Sequence, residues 1–107
     1  MIFIYVPFAN VDTAKAVAKL LVEKRMAGSV DLMPSRSFNR DNGEVKETTG
    51  AIMIVKTIDK HIQGVEDVVR EHHGEGVTCI ASITLYRLNR DFKDWLIAAT
   101  KIGRAHV

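Results

Sequence analysis

A histidine, an acid and the chain's one cysteine lie close together in the sequence where the second predicted helix ends. They are His73, Glu75 and Cys79, with Gly74 and Gly76 between them. Neutral imidazole binds copper and zinc, and the glycines allow an open loop. The three residues are therefore a candidate metal site, although their spacing is not the C-x-x-C pattern of a structural zinc site.

Each of these residues also has a plainer interpretation. His73 is then a surface residue at a helix C-terminus, where the helix dipole favours a cation. Cys79, inside a predicted strand, is expected to be a small buried hydrophobic residue. The neighbouring His72 lies on the apolar stripe of the helix, so we expect it to be partly buried.

Three cations suggest a different kind of ligand. Arg36 and Arg40 flank a predicted hairpin, and Lys56 lies near the end of the strand that returns from it. Guanidinium groups hold carboxylates and phosphates well, so these side chains are candidates for a cleft that binds a small anion. Solvated charges on an edge strand are the alternative.

The predicted elements follow the order β-α-β-β-α-β and a last helix. Strands are predicted over 2–6, 29–38, 44–56 and 77–88, and helices between Asn10 and Gly28, over about 59–73 and over 92–99. Asp41-Asn42-Gly43 predicts the hairpin turn, and Pro34 marks its strand as an edge strand. We therefore predict one α+β domain, 1–107, with a ferredoxin-like antiparallel sheet, helices on one face and a C-terminal helix.

Two predicted strands are apolar on both faces. In the first strand Ile4 and Val6 alternate with Phe3 and Tyr5, and the run 51–55 repeats this pattern. The two longer helices cover only one face of such a sheet, and an apolar face left in water usually marks an interaction surface. We expect self-association to cover it, helped by the last helix, whose apolar face carries Phe92, Trp95, Leu96 and Ala99.

The chain lacks the residues that several known activities require. No C-x-x-C follows the first strand, as in a copper chaperone, and the same loop lacks the arginine of an acylphosphatase. The third strand has no aromatic residue on which RNA bases could stack. No phosphate-binding glycine motif and no Ser-His-Asp arrangement is found, so we expect no enzyme. The net charge of +2 gives no case for nucleic acid or an anionic membrane.

Segments along nearly the whole chain carry a resemblance to a known family. They are Glu23-Lys24-Arg25-Met26-Ala27, Val30-Asp31-Leu32-Met33-Pro34, Ile54-Val55-Lys56-Thr57, His73, and Phe92 with Trp95-Leu96. In order and spacing they are similar to the CutA family of divalent-cation tolerance proteins. The resemblance implies a homotrimer packed through its sheets, an architecture like that of PII signalling proteins, and a link to copper and divalent-metal tolerance.

The chain also departs from the family pattern. Ser29 stands in place of a cysteine, Gly50 in place of an acid, and Asn39, Arg40 and Asp41 in place of an aromatic cluster. Most positions suspected of binding metal in that family are therefore changed. The resemblance implies a divergent member that keeps the assembly and has lost or altered the site.

We therefore expect a cytoplasmic homotrimer associated with divalent metal (copper) tolerance. It requires no cofactor, binds copper or another divalent metal weakly or not at all, and contacts neither nucleic acid nor membrane. The single cysteine fits a reducing cytosol, and the first strand lacks the features of a signal peptide. The alternatives are a PII-like regulatory trimer that binds a small anion between subunits, through Arg36, Arg40 or Lys56, and a trimeric protein-interaction scaffold.

Overall fold

The predicted α+β fold is confirmed by the computed structural model of the chain, which describes residues 1–74 and 76–102. Its four strands form one antiparallel sheet in the order β2-β3-β1-β4, the ferredoxin-like arrangement. The elements are β1 Ile2–Phe8, α1 Val11–Glu23, β2 Ser29–Asp41, β3 Glu44–Thr57, a 3-10 turn Asp59–His61, α2 Ile62–His72, β4 Ala81–Thr84 and α3 Arg90–Ala99.

The core lies between one face of the sheet and the helices α1 and α2. Side chains alternate between the two faces of a strand, and burial in β1 and β3 follows this alternation. The buried apolar residues on the helix side include Ile2, Ile4, Val6, Phe8, Ala14, Val17, Leu21, Ala51, Met53, Val55, Val65, Val68 and Val69. This face of the two central strands is thus fully used within one chain.

The ends of α1 are fixed by local hydrogen bonds and backbone geometry. The side chain of Asn10 caps the helix by accepting a hydrogen bond from the Thr13 N–H at 3.0 Å. The helix ends at Glu23, and Arg25 then takes a left-handed φ of 62°. Gly28 was predicted to end the helix, but it lies immediately before β2. Its N–H donates a hydrogen bond to the Lys56 carbonyl at 3.0 Å.

The strands β2 and β3 form a long hairpin whose outer part projects beyond the helices. The turn residues Asn42 and Gly43 have φ angles of 53° and 82°, as a tight hairpin turn requires. As predicted, β2 is an edge strand, and its Pro34 pairs with Ala51. Most residues over 36–49 are exposed, and we call this part of the hairpin the stem.

The fourth strand is much shorter than the predicted 77–88, because β4 pairs with β1 only from Tyr5 back to Ile2. After α2 the chain passes through Gly74 and Gly76, with φ angles of 97° and 96°, and reaches the sheet only at Ala81. The β-branched residues of this segment therefore favour an extended backbone, but they do not determine which part of it pairs with β1.

The second face of the sheet is covered in part by α3. We call this the open face; its apolar residues include Phe3, Tyr5, Met33, Ile52, Ile54 and Ile83. The Nζ of Lys56 lies 5.9 Å from the ring centroids of both Phe3 and Phe92, so α3 reaches only one end of this face. Met33 and Ile83 remain 43% and 48% exposed, which leaves an apolar surface in water.

Candidate functional site

A groove of about 380 Å³ lies on the open face, where the end of β1 meets the stem and the segment after α2. This volume lies within the usual range of a small-ligand site. The described residues that line it carry hydroxyl, amide, imidazole, thiol and apolar groups, and none carries a full charge apart from any on the imidazole. Two of the three predicted metal ligands, His73 and Cys79, are among them.

His73 follows the last turn of α2, and both of its ring nitrogens have partners. Its Nε2 lies 2.9 Å from the carbonyl oxygen of Pro7, and because a carbonyl only accepts, Nε2 carries the proton. Its Nδ1 lies 3.4 Å from the hydroxyl of Thr78, a longer contact. In the neutral ring Nδ1 therefore holds the lone pair.

This arrangement resembles that of metal-binding histidines in general. Such residues usually donate their other ring N–H to a carboxylate or backbone carbonyl, which fixes the tautomer and the ring orientation. The ring of His73 also contacts that of Phe8, with 4.9 Å between centroids. The Pro7 carbonyl thus fixes the tautomer of His73 and leaves the Nδ1 lone pair toward the Thr78 hydroxyl.

Cys79 is exposed, and the prediction that it is buried was wrong. The reason is that Cys79 precedes β4 and lies in the segment that crosses the end of β1, outside the layer packed against the helices. Glu75, the third predicted ligand, lies outside the described residues. Among the described residues no three His, Cys, Asp or Glu side chains are arranged to hold a metal ion.

His72 does not take part in this groove. It lies at the outer end of the stripe, where its side chain is 41% exposed, whereas Val68 is 7% exposed. Its Nδ1 donates to the Val68 carbonyl oxygen at 2.8 Å, a bond within its own helix. His72 therefore serves as a comparison residue for His73.

Gly50 closes the floor of the groove. A Cβ added there would lie 2.1 Å from the carbonyl oxygen of Phe8, so this backbone cannot carry a side chain at position 50. From the sequence, Gly50 was noted only as a position where the resembled family has an acidic residue. In the structure the glycine allows the chain leaving β1 to cross over β3.

Sequence reasoning missed the polar row along the stem. Ser35, Ser37 and Asn39 alternate on one face of β2, and Thr48 pairs with Ser37 from the opposite strand. Their period of two was visible in the sequence and places them on the same side of a strand. The contact of His73 with the Pro7 carbonyl had no signal in the sequence, since it joins residues 66 positions apart.

The three predicted anion ligands are not brought together within one chain. Lys56 pairs with Ser29, and Arg40 lies eleven residues farther along β2, or about 36 Å at the usual rise per residue. Arg36 forms an ion pair with Glu47 at 3.0 Å, and Lys56 forms one with Asp31 at 2.8 Å. None of the three lines the groove. A cleft that uses all three requires a second subunit, and stays a prediction.

The described part of the chain contains no helix long and apolar enough to cross a membrane.

Comparison with known proteins gives a consistent result. A family model described as CutA1 divalent ion tolerance protein matches residues 2–99. The divalent-cation tolerance protein CutA of Archaeoglobus fulgidus is 34% identical over 94 residues, which cover 88% of this chain and 92% of that protein. The corresponding protein of Pyrococcus horikoshii is 29% identical over 101 residues, which cover 94% and 99%.

Solved structures of such proteins have the same fold. The crystal structure of CutA1 from Pyrococcus horikoshii superposes with a TM-score of 0.89 at 29% identity, covering 95% of this chain and all of that one. The Archaeoglobus fulgidus structure, described as a periplasmic divalent cation tolerance protein, gives 0.88 at 32% identity and covers 94% of this chain. The similarity therefore extends over nearly the whole molecule.

Proposed function

Because this chain belongs to the CutA1 divalent ion tolerance family, we propose that it is a homotrimer that binds copper or another divalent metal ion weakly. We further propose that its role is one of binding without catalysis, and that it acts in the cytoplasm. The observation that carries the metal assignment is the groove that contains both His73 and Cys79, with His73 held through Nε2 by the Pro7 carbonyl.

The donor set fits a weak site for a borderline or soft metal. The Nδ1 of His73 and the thiolate of Cys79 suit copper and zinc, whereas magnesium and calcium prefer oxygen ligands. Two protein donors fall short of the four that a structural zinc site uses. When bound, the ion would be held by these side chains, with the remaining positions open to water.

Titration calorimetry with Cu(II) tests this assignment. His73→Ala should weaken Cu(II) binding by about tenfold or more, because even groups that only support a metal ligand contribute that much. Binding should also weaken as the pH falls, because protons compete with the metal for its ligands. Cys79→Ser should weaken binding as well.

The matched control is His72→Ala, since His72 is exposed and does not line the groove. This variant should bind Cu(II) like the original protein. Equal affinity in the original protein and His73→Ala would exclude His73 as a ligand.

Two features support self-association. The open face exposes apolar side chains from β1, β2, β3 and β4, and large exposed apolar patches usually mark interaction sites. In addition, the run 77–84 contains no charged residue, although it includes the edge strand β4. Edge strands are usually protected by charges or proline, so an uncharged edge fits contact with another copy.

A PII-like trimer that binds a small anion between subunits is the second candidate. The stem supports it, because Arg36 and Arg40 project beyond their own helix layer and could meet Lys56 of a neighbouring subunit. Titration with nucleotides alongside Cu(II) and Zn(II) separates the two candidates. Anion binding that is lost in Arg36→Gln, with Cu(II) binding unchanged, would favour the second.

A further inference from the structure

A second pocket, of about 360 Å³, lies at the end of β1 away from the His73 groove. It forms where the chain passes from β4 to α3, and none of its lining residues is shared with the groove. Its walls are Met1, Leu85, Tyr86, Arg87, Leu88 and Lys93. The pocket is thus separate from the proposed metal site in both position and composition.

Both charged side chains in this pocket are cations. Arg36, Lys46 and Lys56 each form an ion pair with an acid, but no described acid pairs with Arg87 or Lys93. The acids Asp91 and Asp94 belong to the same helix as Lys93, yet neither lines the pocket. Two like charges that face one small space attract an anion placed between them, and a guanidinium can bind it through two parallel hydrogen bonds.

The remaining walls suit an apolar body attached to that anion. Tyr86 is fully exposed, and Leu85 and Leu88, which line the same pocket, are partly buried. Small-molecule sites typically combine apolar and aromatic walls with a few placed polar groups. An exposed tyrosine also offers a large, stiff contact surface, which is why this residue is frequent in binding sites.

We propose that this pocket binds a small organic anion, with one carboxylate or phosphate between Arg87 and Lys93 and a flat apolar body against Tyr86 and Leu88. This proposal goes beyond metal binding and trimer formation and uses none of the residues assigned to them. It also differs from the anion cleft between subunits, because Arg36, Arg40 and Lys56 are absent from the pocket.

Titration calorimetry of the complete chain with four probes tests the proposal. Phenyl phosphate and benzoate carry both the charge and the ring, inorganic phosphate carries the charge alone, and benzyl alcohol carries the ring alone. We expect phenyl phosphate or benzoate to bind more tightly than inorganic phosphate, and benzyl alcohol to give no saturable heat. Binding should weaken at high salt, because exposed charges are screened.

Variants then locate the site. Arg87→Gln and Lys93→Gln should each weaken the preferred probe about tenfold, because each removes a charge-assisted hydrogen bond. Tyr86→Ala should weaken phenyl phosphate and benzoate while leaving inorganic phosphate unchanged. The matched control is Arg70→Gln, an exposed cation of α2 that does not line the pocket, which should bind like the original protein.

Three results would overturn the proposal. They are no saturable binding of either ring-bearing anion up to about 10 mM, equal affinity for phenyl phosphate and inorganic phosphate, and unchanged affinity in Arg87→Gln Lys93→Gln. Cu(II) titration of this double variant should match that of the original protein. Failure of the anion proposal is thereby distinguished from failure of the metal proposal.

Discussion

At the scale of single residues, Gly50 connects packing to the composition of the groove. The carbonyl oxygen of Phe8 would lie 2.1 Å, and the Cα of Ala9 3.2 Å, from any Cβ at this position. Both contacts are with backbone, which cannot rotate away as a flexible side chain can. An acidic side chain at position 50 is therefore incompatible with this crossing of the chain, and a metal ion bound in the groove would have no ligand from that position.

Gly50→Ala should lower the free energy of unfolding by about 1–3 kcal/mol, because the added methyl group forces the end of β1 away from β3. Urea denaturation followed by circular dichroism measures the change. The matched control is Gly64→Ala in α2, where a Cβ would meet only the flexible end of Met26, at 3.3 Å. A helical glycine-to-alanine change of this kind should be neutral or stabilising by up to about 1 kcal/mol.

Equal stability of Gly50→Ala and the original protein would mean that the two strands separate without cost. Steric exclusion by the Phe8 carbonyl would then not be the reason that glycine occupies position 50.

The residue types indicated which side chains could bind a metal, but not how buried they are or which groups hold them. The position of His73 after a helix and before two glycines pointed to a loop ligand, and it does line the groove. Burial of Cys79 was predicted from its place in a predicted strand. The prediction failed because burial depends on whether a segment joins the sheet, and Cys79 precedes β4. The Pro7 carbonyl that holds His73 could not be predicted, since backbone carbonyls carry no sequence signal.

At the scale of elements, α3 is anchored to its own chain by one side of the helix. Leu96 is fully buried and packs over Gly28, where a Cβ would lie 2.5 Å from the leucine Cδ1. Thr100, which follows the last residue of α3, is also buried, and its carbonyl oxygen accepts a hydrogen bond from Nε2 of His61 at 2.9 Å. In contrast, Trp95 stays 48% exposed. One face of α3 therefore packs against its own subunit, while the Trp95 side chain remains available for contact with another molecule.

Leu96→Ala and Trp95→Ala should separate these two roles. Leu96→Ala should lower the free energy of unfolding by about 2–5 kcal/mol, because it opens a cavity between α3 and the start of β2. Trp95→Ala should have a smaller effect on unfolding, but it should make the assembly dissociate on dilution if the exposed indole contacts a neighbouring subunit. Analytical ultracentrifugation over a range of concentrations measures the second effect.

Circular dichroism at each dilution serves as the control, since the dissociated Trp95→Ala subunit should keep its secondary structure. A Trp95→Ala protein that stays associated at nanomolar concentration but unfolds earlier would place this side chain within the core of one subunit.

The order of elements was predictable because periodicity reports on local backbone and on burial. The turn at Asn42-Gly43, the edge position of β2 and the amphipathic helices followed from residue types that allow few alternatives. The length of β4 was not predictable, because it depends on where the chain arrives at β1 after α2. Gly28 was misinterpreted for a similar reason, since a close helix contact and a helix stop both require glycine.

At the scale of the whole molecule, the chain is extended for its length. Its principal dimensions are 54, 28 and 19 Å, and its radius of gyration is 15.1 Å, against about 13 Å for a compact domain of this size. The excess follows from the stem, which projects beyond the helices. Association of several copies would cover the apolar open face and give the projecting stem a surface to pack against.

Ile52→Asp should therefore break the assembly. Ile52 lies on the open face between Pro7 of β1 and Met33 of β2, so a second copy placed against this face would bury the new carboxylate without a partner. An unpaired buried charge destabilises a contact by about 3–5 kcal/mol, enough to shift association by orders of magnitude. Light scattering should give three times the 11.9 kDa chain mass for the original protein and a single chain mass for the variant.

The matched control for this experiment is Val22→Asp. Val22 is a comparably sized apolar residue of α1, 42% exposed, on the helix layer and away from the open face. It should keep the mass of the original protein, because its new charge stays in water. A mass near 11.9 kDa for the original protein itself would overturn the trimer. An Ile52→Asp variant that remains trimeric would show instead that the subunits meet through surfaces other than this face, such as the stem or the uncharged edge at β4.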